Sequence, residues 1–459
     1  MMRENPADLL PELLFLGAAV CGLVAGLWLP RDRQRIVAAV CAAGLAGALA
    51  ATALAARGPE MTAFEAFALD PVTHAVRAVV AVSALLVLGL AGPLRGHPRE
   101  TELYVLVLLA SLGSVMMAAA SDLLVLMAAY LLASIPGYAL AGFAKDARGT
   151  EAALKYFLMG ALLGISMLTG MTMLYGAGRG TAYPVLADGL AAAPGGVVAA
   201  GTVALLAGLL FKAGAVPAQY WVPDVTEGAP PVVAAFVTTV PKIGGLAAVF
   251  RLASEVLDRT AADWRVLVAV LAAATMTLGN LAAFGQDNVR RLLAYSTVSQ
   301  AGYLLVPVVV AGDSGLAEPA LLFYLAAYAV TNLGAFAVVI AWGADDLTGY
   351  TGLARRAPWL ALSLVVCLLG LIGTPPTAVF VGKLLVFGAA LDGGYAWLAV
   401  VMAVNTVASV FYYLRWVVPL YRARSPFPRT PHRTATSLAI TAAGLSLALG
   451  VASGAALAL

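Results

Sequence analysis

Charge is scarce in this sequence. Only 11% of its 459 residues are Asp, Glu, Lys or Arg, while 62% are hydrophobic. A chain this long needs far more charge to present a wetted surface, so the composition excludes a soluble fold. Apolar runs long enough to cross a bilayer recur along almost its whole length, the pattern of a polytopic membrane protein. Cysteine is nearly absent too. Cys21, Cys41 and Cys367 all lie in apolar runs and form no CxxC pair. That excludes a cysteine-held zinc or iron–sulfur site and any disulfide framework. Of the three histidines, His74, His97 and His432, two fall in loops, which argues against a bis-histidine haem in the membrane. No redox centre, metal site or nucleic-acid partner is expected of this chain. The glycines of "GAGRG", Gly176, Gly178 and Gly180, follow no predicted strand, so they read as a flexible turn rather than a phosphate loop.

What is present is a succession of apolar segments. Fourteen spans are expected, at about 9–29, 36–56, 72–92, 102–120, 123–143, 152–175, 197–216, 231–252, 264–284, 291–311, 319–342, 358–390, 395–418 and 435–457. The first lacks the short apolar core and cleavage site of a removable signal and reads as a retained helix. The twelfth is too long for one simple helix and carries the adjacent Pro375 and Pro376. Pro217 and Pro223 mark a second break at the end of the seventh. Prolines remove backbone donors, and breaks at matching points of two halves suggest an internal repeat around a transport path.

Loop charge predicts orientation. Loops after odd-numbered spans hold fifteen Lys and Arg, from Arg31 to Arg433, and the opposite side holds six: Arg3, Arg57, Arg179, Arg251, Arg259 and Arg265. By the positive-inside rule the odd loops are cytoplasmic and both termini are outside. The chain is expected in the cell membrane.

Four lysines fall within spans: Lys155, Lys212, Lys242 and Lys383. Each costs about 2.5–3.5 kcal/mol at a helix centre. Burial disfavours an ammonium and a nearby carboxylate favours it, so a lysine between the two can load and release a proton. Lys155 lies one turn inside its span and can snorkel to the interface. Lys212 and Lys383 adjoin the breaks, where free carbonyls and water can solvate them. Arg77 and Arg415 also lie within spans, as packing or headgroup contacts or as relay groups.

Several motifs carry a resemblance over roughly residues 100–420. They are "EAALKYFLMGA" at 151–161, "FKAGAVPAQYWVPDVTEGAP" at 211–230 and "MTLGNLAAFGQDNVRRLLAYSTVSQAGYLL" at 276–305. "TNLGAFAVV" at 331–339 and "GTPPTAVFVGK" at 373–383 follow in order. The sequence resembles subunit N of the proton-pumping NADH:quinone oxidoreductase, respiratory complex I, within the antiporter-like membrane subunits. The resemblance implies an all-α membrane protein of 14 helices with two inverted five-helix repeats and broken helices seven and twelve. The expected division is 9–92, a first repeat at 102–252, a second at 264–418 and a last helix at 435–457. By resemblance Lys212 is the central seventh-helix lysine and Lys242 links two half-channels. Lys383 lies on the exit side, and Lys155 is the sixth-helix lysine. Charge changes passed laterally from quinone reduction drive such carriers. FMN, iron–sulfur clusters and quinone are expected in partner membrane-arm and redox subunits, none in this chain.

The departures matter as much. "SDLLVLMAAYLLASIPGY" aligns with the family's fifth helix through Asp122 and Ser134, and Leu131 falls where the family has a glutamate that pairs with the seventh-helix lysine. Two histidines common in the family appear here as Gln219 and Gln300. Lys212 is therefore expected to lack its acid, unless another helix or subunit supplies one, and Leu131→Glu is expected to restore pairing and raise pumping. Two other readings stay open: a non-pumping structural arm subunit, favoured by the missing glutamate and opposed by the retained lysines, and a subunit of a multi-subunit cation/proton antiporter, opposed by "WVPDVTEGAP".

Overall fold

The computed structural model describes residues 5–260, 262–422 and 429–453. Arg3, Arg424 and residues 454–457 of the last expected span lie outside the described residues. In chain order come α1 (Leu10–Trp28), α2 (Arg35–Ala55), a hairpin of β1 (Met61–Ala63) and β2 (Phe67–Leu69), α3 (Pro71–Leu90), α4 (Glu100–Ala119), α5 (Leu123–Ala141), α6 (Ala147–Gly178) and α7 (Tyr183–Ala191). Then follow α8 (Gly195–Ala213), α9 (Trp221–Gly228), α10 (Pro231–Leu252), α11 (Trp264–Phe284), α12 (Val289–Val309) and α13 (Ala317–Trp342). The chain continues through α14 (Leu353–Arg356), α15 (Pro358–Ile372), α16 (Ala378–Asp392), α17 (Ala396–Leu420) and α18 (Arg433–Val451).

Polar residues just ahead of the apolar runs start several of these helices. Asp70, Asp122, Asp146 and Asn288 each accept hydrogen bonds from first-turn N–H groups of α3, α5, α6 and α12, satisfying donors that a helix start leaves free. Thirteen helices among the described residues are long and apolar enough to cross a membrane. The twelfth expected span is two helices of 15 residues, α15 and α16, separated by Gly373–Thr377. The hairpin, α7 and α9 were not anticipated. "GAGRG" is not a free turn: Gly176 and Gly178 belong to the last turn of α6, and Arg179 caps it in the left-handed conformation.

Burial orders the bundle. Every residue of α10 from Val232 to Leu252 is buried, as are nearly all of α12 and α13. A helix apolar all round belongs at the centre. α1, α2, α6 and α18 keep most of their surface outward. Two arginines tie the periphery to this core. Arg77 in α3, fully buried, makes a bidentate pair with Glu12 of α1 at 2.7 and 2.8 Å, a packing role with a partner that went unread in the first apolar run. Arg251 in α10 binds Asp70 at 2.7 Å, Glu255 at 2.5 Å and the Ala118 carbonyl at 2.8 Å. Burial alone raises the Asp70 carboxyl; the Arg251 guanidinium and the Thr73 N–H more than offset it and hold it below its ordinary value.

Candidate functional site: three enclosed lysines and two broken helices

Both breaks end their first helix in the same way. Gly214 after α8 has φ 67° and Gly373 after α15 has φ 90°. One residue further on, Ala215 N–H bonds to Leu210 O at 2.9 Å and Thr374 N–H to Leu369 O at 3.1 Å. These are left-handed helix ends with the six-to-one bond that such ends make, and glycine adopts them without the Cβ penalty. Pro217 lies in the first break and Pro375 and Pro376 in the second. Pro223 does not break a helix. It is the third residue of α9, where its missing N–H leaves no intrahelical bond unmade.

Three of the four lysines lie inside the bundle: Lys212 is 1%, Lys242 2% and Lys383 3% exposed. Lys383 Nζ donates to Ile372 O at 2.8 Å and Leu371 O at 3.4 Å, and meets Thr406 Oγ1 at 3.5 Å. Those carbonyls close α15, so the ammonium sits on the negative end of a helix. Lys242 Nζ donates to Thr297 O at 2.5 Å. Among the described residues Lys212 Nζ has no hydrogen-bond partner. Beside it Trp221 Nε1 takes the Phe211 carbonyl at 3.0 Å and a backbone N–H takes that of Leu210, as backbone N–H groups take those of Leu369 and Gly370 at the second break. The carbonyls freed by the second break serve a lysine; those of the first do not.

The polar path between Lys242 and Lys383 runs along one face of α12, whose Thr297, Gln300 and Tyr303 are three residues apart and so stand above one another. Thr297 Oγ1 is 2.9 Å from Tyr328 Oη. Gln300 Oε1 accepts from Tyr324 Oη at 2.5 Å, and its Nε2 donates at 2.9 Å to Leu371 O, the same carbonyl that Lys383 uses. The Tyr303 ring lies 4.3 Å from Lys383 Nζ. This hydroxyl-rich face was not read from the sequence beyond Gln300; polar residues at intervals of three within an apolar run were its signal. Among the described residues no hydrogen-bonded link joins Lys212 to Lys242. Gln219, 3% exposed, has an unpartnered Oε1.

Lys155 differs from the expected membrane charge. Its side chain is 47% exposed and pairs at 2.8 Å with both Glu151 and Asp224. Arg291 holds Asp224 and Glu227 from the other side, at 3.1 and 2.9 Å. The acidic residues of α9 are thus clamped between α6 and α12 around a cavity of about 250 Å³ that Arg148 also lines. Leu131 is 43% exposed on the outer flank of α5, whereas its neighbour Tyr130 is buried. Arg415 reaches Asp287 at 2.7 Å at a helix end, away from the lysines. No group of three or more potential metal ligands occurs among the described residues.

The chain's relatives share this arrangement of helices. Residues 120–409, which contain both breaks and all four lysines, match the family of NADH:quinone oxidoreductase/Mrp antiporter transmembrane proteins. NADH-quinone oxidoreductase subunit N 1 of Streptomyces griseus subsp. griseus is 54% identical over 457 residues, covering 99% of this chain and 97% of the relative. The chain belongs to that family. A family chain in respiratory complex I from Thermus thermophilus superposes with a TM-score of 0.85 at 33% identity, covering 97% of this chain and 98% of that one. A chain of the Mrp complex from Dietzia sp. DQ12-45-1b has the same TM-score at 22% identity, covering 99% and 95%. The fold is therefore common to both branches of the family, and sequence carries the distinction between them. The resemblance read from the motifs and the all-α membrane architecture are borne out.

Proposed function

We propose that this chain is the proton-translocating membrane-arm subunit of a complex I-like NADH:quinone oxidoreductase, acting as part of that enzyme without a catalytic centre of its own. Its identity to subunit N chains over almost their full length supports the assignment. The single observation that carries the mechanism is the three enclosed lysines, two of them held by carbonyls at either end of one polar face of α12. A proton loaded on Lys242 has hydroxyl and amide groups beside it as far as Lys383. Lys155, with Asp224 and Glu151, stands at the end of the bundle where the odd loops lie. On the loop-charge reading this end is cytoplasmic, so the pair marks the uptake side, and both termini are outside.

We place the electron carriers, FMN and iron–sulfur clusters, and the quinone in partner subunits, and the remaining arm subunits beside this one. The division into repeats at 102–252 and 264–418 is supported by a matched detail. Residues flanking the start of α5 pair with the start of α7 (Leu123 N to Thr181 O, Tyr183 N to Ser121 O) just as the start of α12 pairs with the segment after α13 (Val289 N to Asp345 O, Leu347 N to Asp287 O). Adjacent spans alternate in direction, so spans five apart run oppositely and the two units are inverted.

A structural, non-pumping role is favoured by one feature, the lack of any acceptor at Lys212. Acidification of inverted membrane vesicles driven by NADH separates the two. Lys212→Met is expected to abolish most acidification at matched electron-transfer rates with the complex assembled. Native acidification in that variant would leave the scaffold role standing.

A further inference from the structure

Lys212 has no oxygen to bind, but it does have aromatic faces. Its Nζ lies 5.2 Å from the ring centre of Tyr130 and 5.9 Å from those of Tyr138 and Tyr156. An ammonium within about 6 Å of a ring face is attracted by the ring quadrupole, most strongly where water is excluded. The other two lysines show the contrast. Lys242 has one carbonyl and one ring, Tyr328 at 5.7 Å, and Lys383 has two carbonyls, a hydroxyl and one ring. The lysine with no acceptor is the one with three rings.

The rings are seated by the facing backbone. A Cβ at Gly160 of α6 would lie 1.9 Å from Tyr138 Oη, and one at Gly164 would lie 3.3 Å from Tyr130 Cε1. In return Gly137 of α5 faces Tyr156 of α6, whose ring stacks on Trp221 at 4.3 Å. Each tyrosine of the group thus lies against a glycine of the opposite helix, which lets α5 and α6 approach closely while the rings turn inward to α8.

We propose that Tyr130, Tyr138 and Tyr156 form an aromatic cage that holds the protonated side chain of Lys212, so that this lysine carries charge without a carboxylate partner. The inference rests on the reading of Lys212 as a proton carrier. The tyrosines are positioning residues; the proton stays on the lysine nitrogen.

The test replaces Tyr130 in the assembled enzyme and reads NADH-driven acidification in inverted vesicles at matched electron transfer. Tyr130→Phe keeps the ring face and is expected to pump within about twofold of native, while Tyr130→Leu loses it and is expected to fall about fivefold or more. Because Leu can disturb packing, a second series introduces phenylalanine carrying one, two or three ring fluorines at position 130, which preserves shape and weakens the quadrupole stepwise. Acidification falling with each fluorine supports the cage. A flat series, or a Phe variant as impaired as Leu, overturns it. Lys212→Met in the same vesicles separates the two levels: if that variant pumps normally the carrier reading fails, and if it does not while the fluorine series is flat, only the cage fails.

Discussion

At the scale of single residues, position 131 and its neighbour exchange importance. The sequence comparison makes Leu131 the site of a missing acid and leads to the expectation that Leu131→Glu restores a pair. The folded chain directs Tyr130 to Lys212 and leaves Leu131 on the outer flank of α5. Residues one apart on a helix point about 100° apart, so a side chain at 131 starts on a different face from the ring. Leu131→Glu is therefore expected to leave the ratio of protons to electrons near native, read as vesicle acidification against NADH consumption. An increased ratio would show that α5 turns to present the carboxylate, against this geometry. Lys212, Lys242 and Lys383 were legible because a lysine in an apolar run needs compensation wherever the run is buried. Lys155 was legible as a charge able to reach the interface, but its partners were not. Its pairing depends on α9, which arrives from residues 221–228 and brings Asp224 to it.

At the scale of elements, the two breaks share one backbone design and differ in what receives their free carbonyls. The proline pair at 375 and 376 and the proline at 217 announced them. The glycine that opens each break, and the Trp221 indole that occupies Phe211 O, did not follow from local sequence. Gly373→Ala is a sharp probe. An alanine held in the left-handed region costs about 1–2 kcal/mol, and its Cβ would lie 2.8 Å from Lys383 Cδ. Acidification is expected to drop well below that of Gly214→Ala, whose added Cβ meets Val222 Cγ2 at 2.9 Å and comes no nearer to a lysine than 3.9 Å, at Lys242 Nζ. Equal loss in the two variants, measured at matched electron transfer and equal amounts of assembled enzyme, would count against a special position for Lys383.

At the scale of the whole molecule, the enclosed centre of α10, α12 and α13 and the ring of half-exposed helices make a bundle that encloses Lys212, Lys242 and Lys383. The proposed orientation of that bundle rests on the bias in loop charge. On that proposal the odd loops are inside, and Arg433, at the start of α18, is placed on the cytoplasmic side. A cysteine introduced as Arg433→Cys is expected to react with a membrane-impermeant thiol reagent in inverted vesicles and not in intact cells. Labelling of intact cells would reverse the orientation and, with it, the uptake side assigned to Lys155 and Asp224.

Membrane class, span positions, the two breaks and the three inward lysines were determined by the sequence alone. Each of these follows from a local rule: hydrophobic length against bilayer thickness, proline against helix continuity, charge against lipid. What surrounds each lysine was decided only by tertiary structure. The carbonyls at Lys383, the α12 face that serves Lys242, the three rings at Lys212 and the outward turn of Leu131 all come from residues distant in the chain. Such contacts depend on how far each helix is rotated about its axis in the bundle. Nearly every face of a membrane helix is apolar, so the sequence pattern carries little record of that rotation.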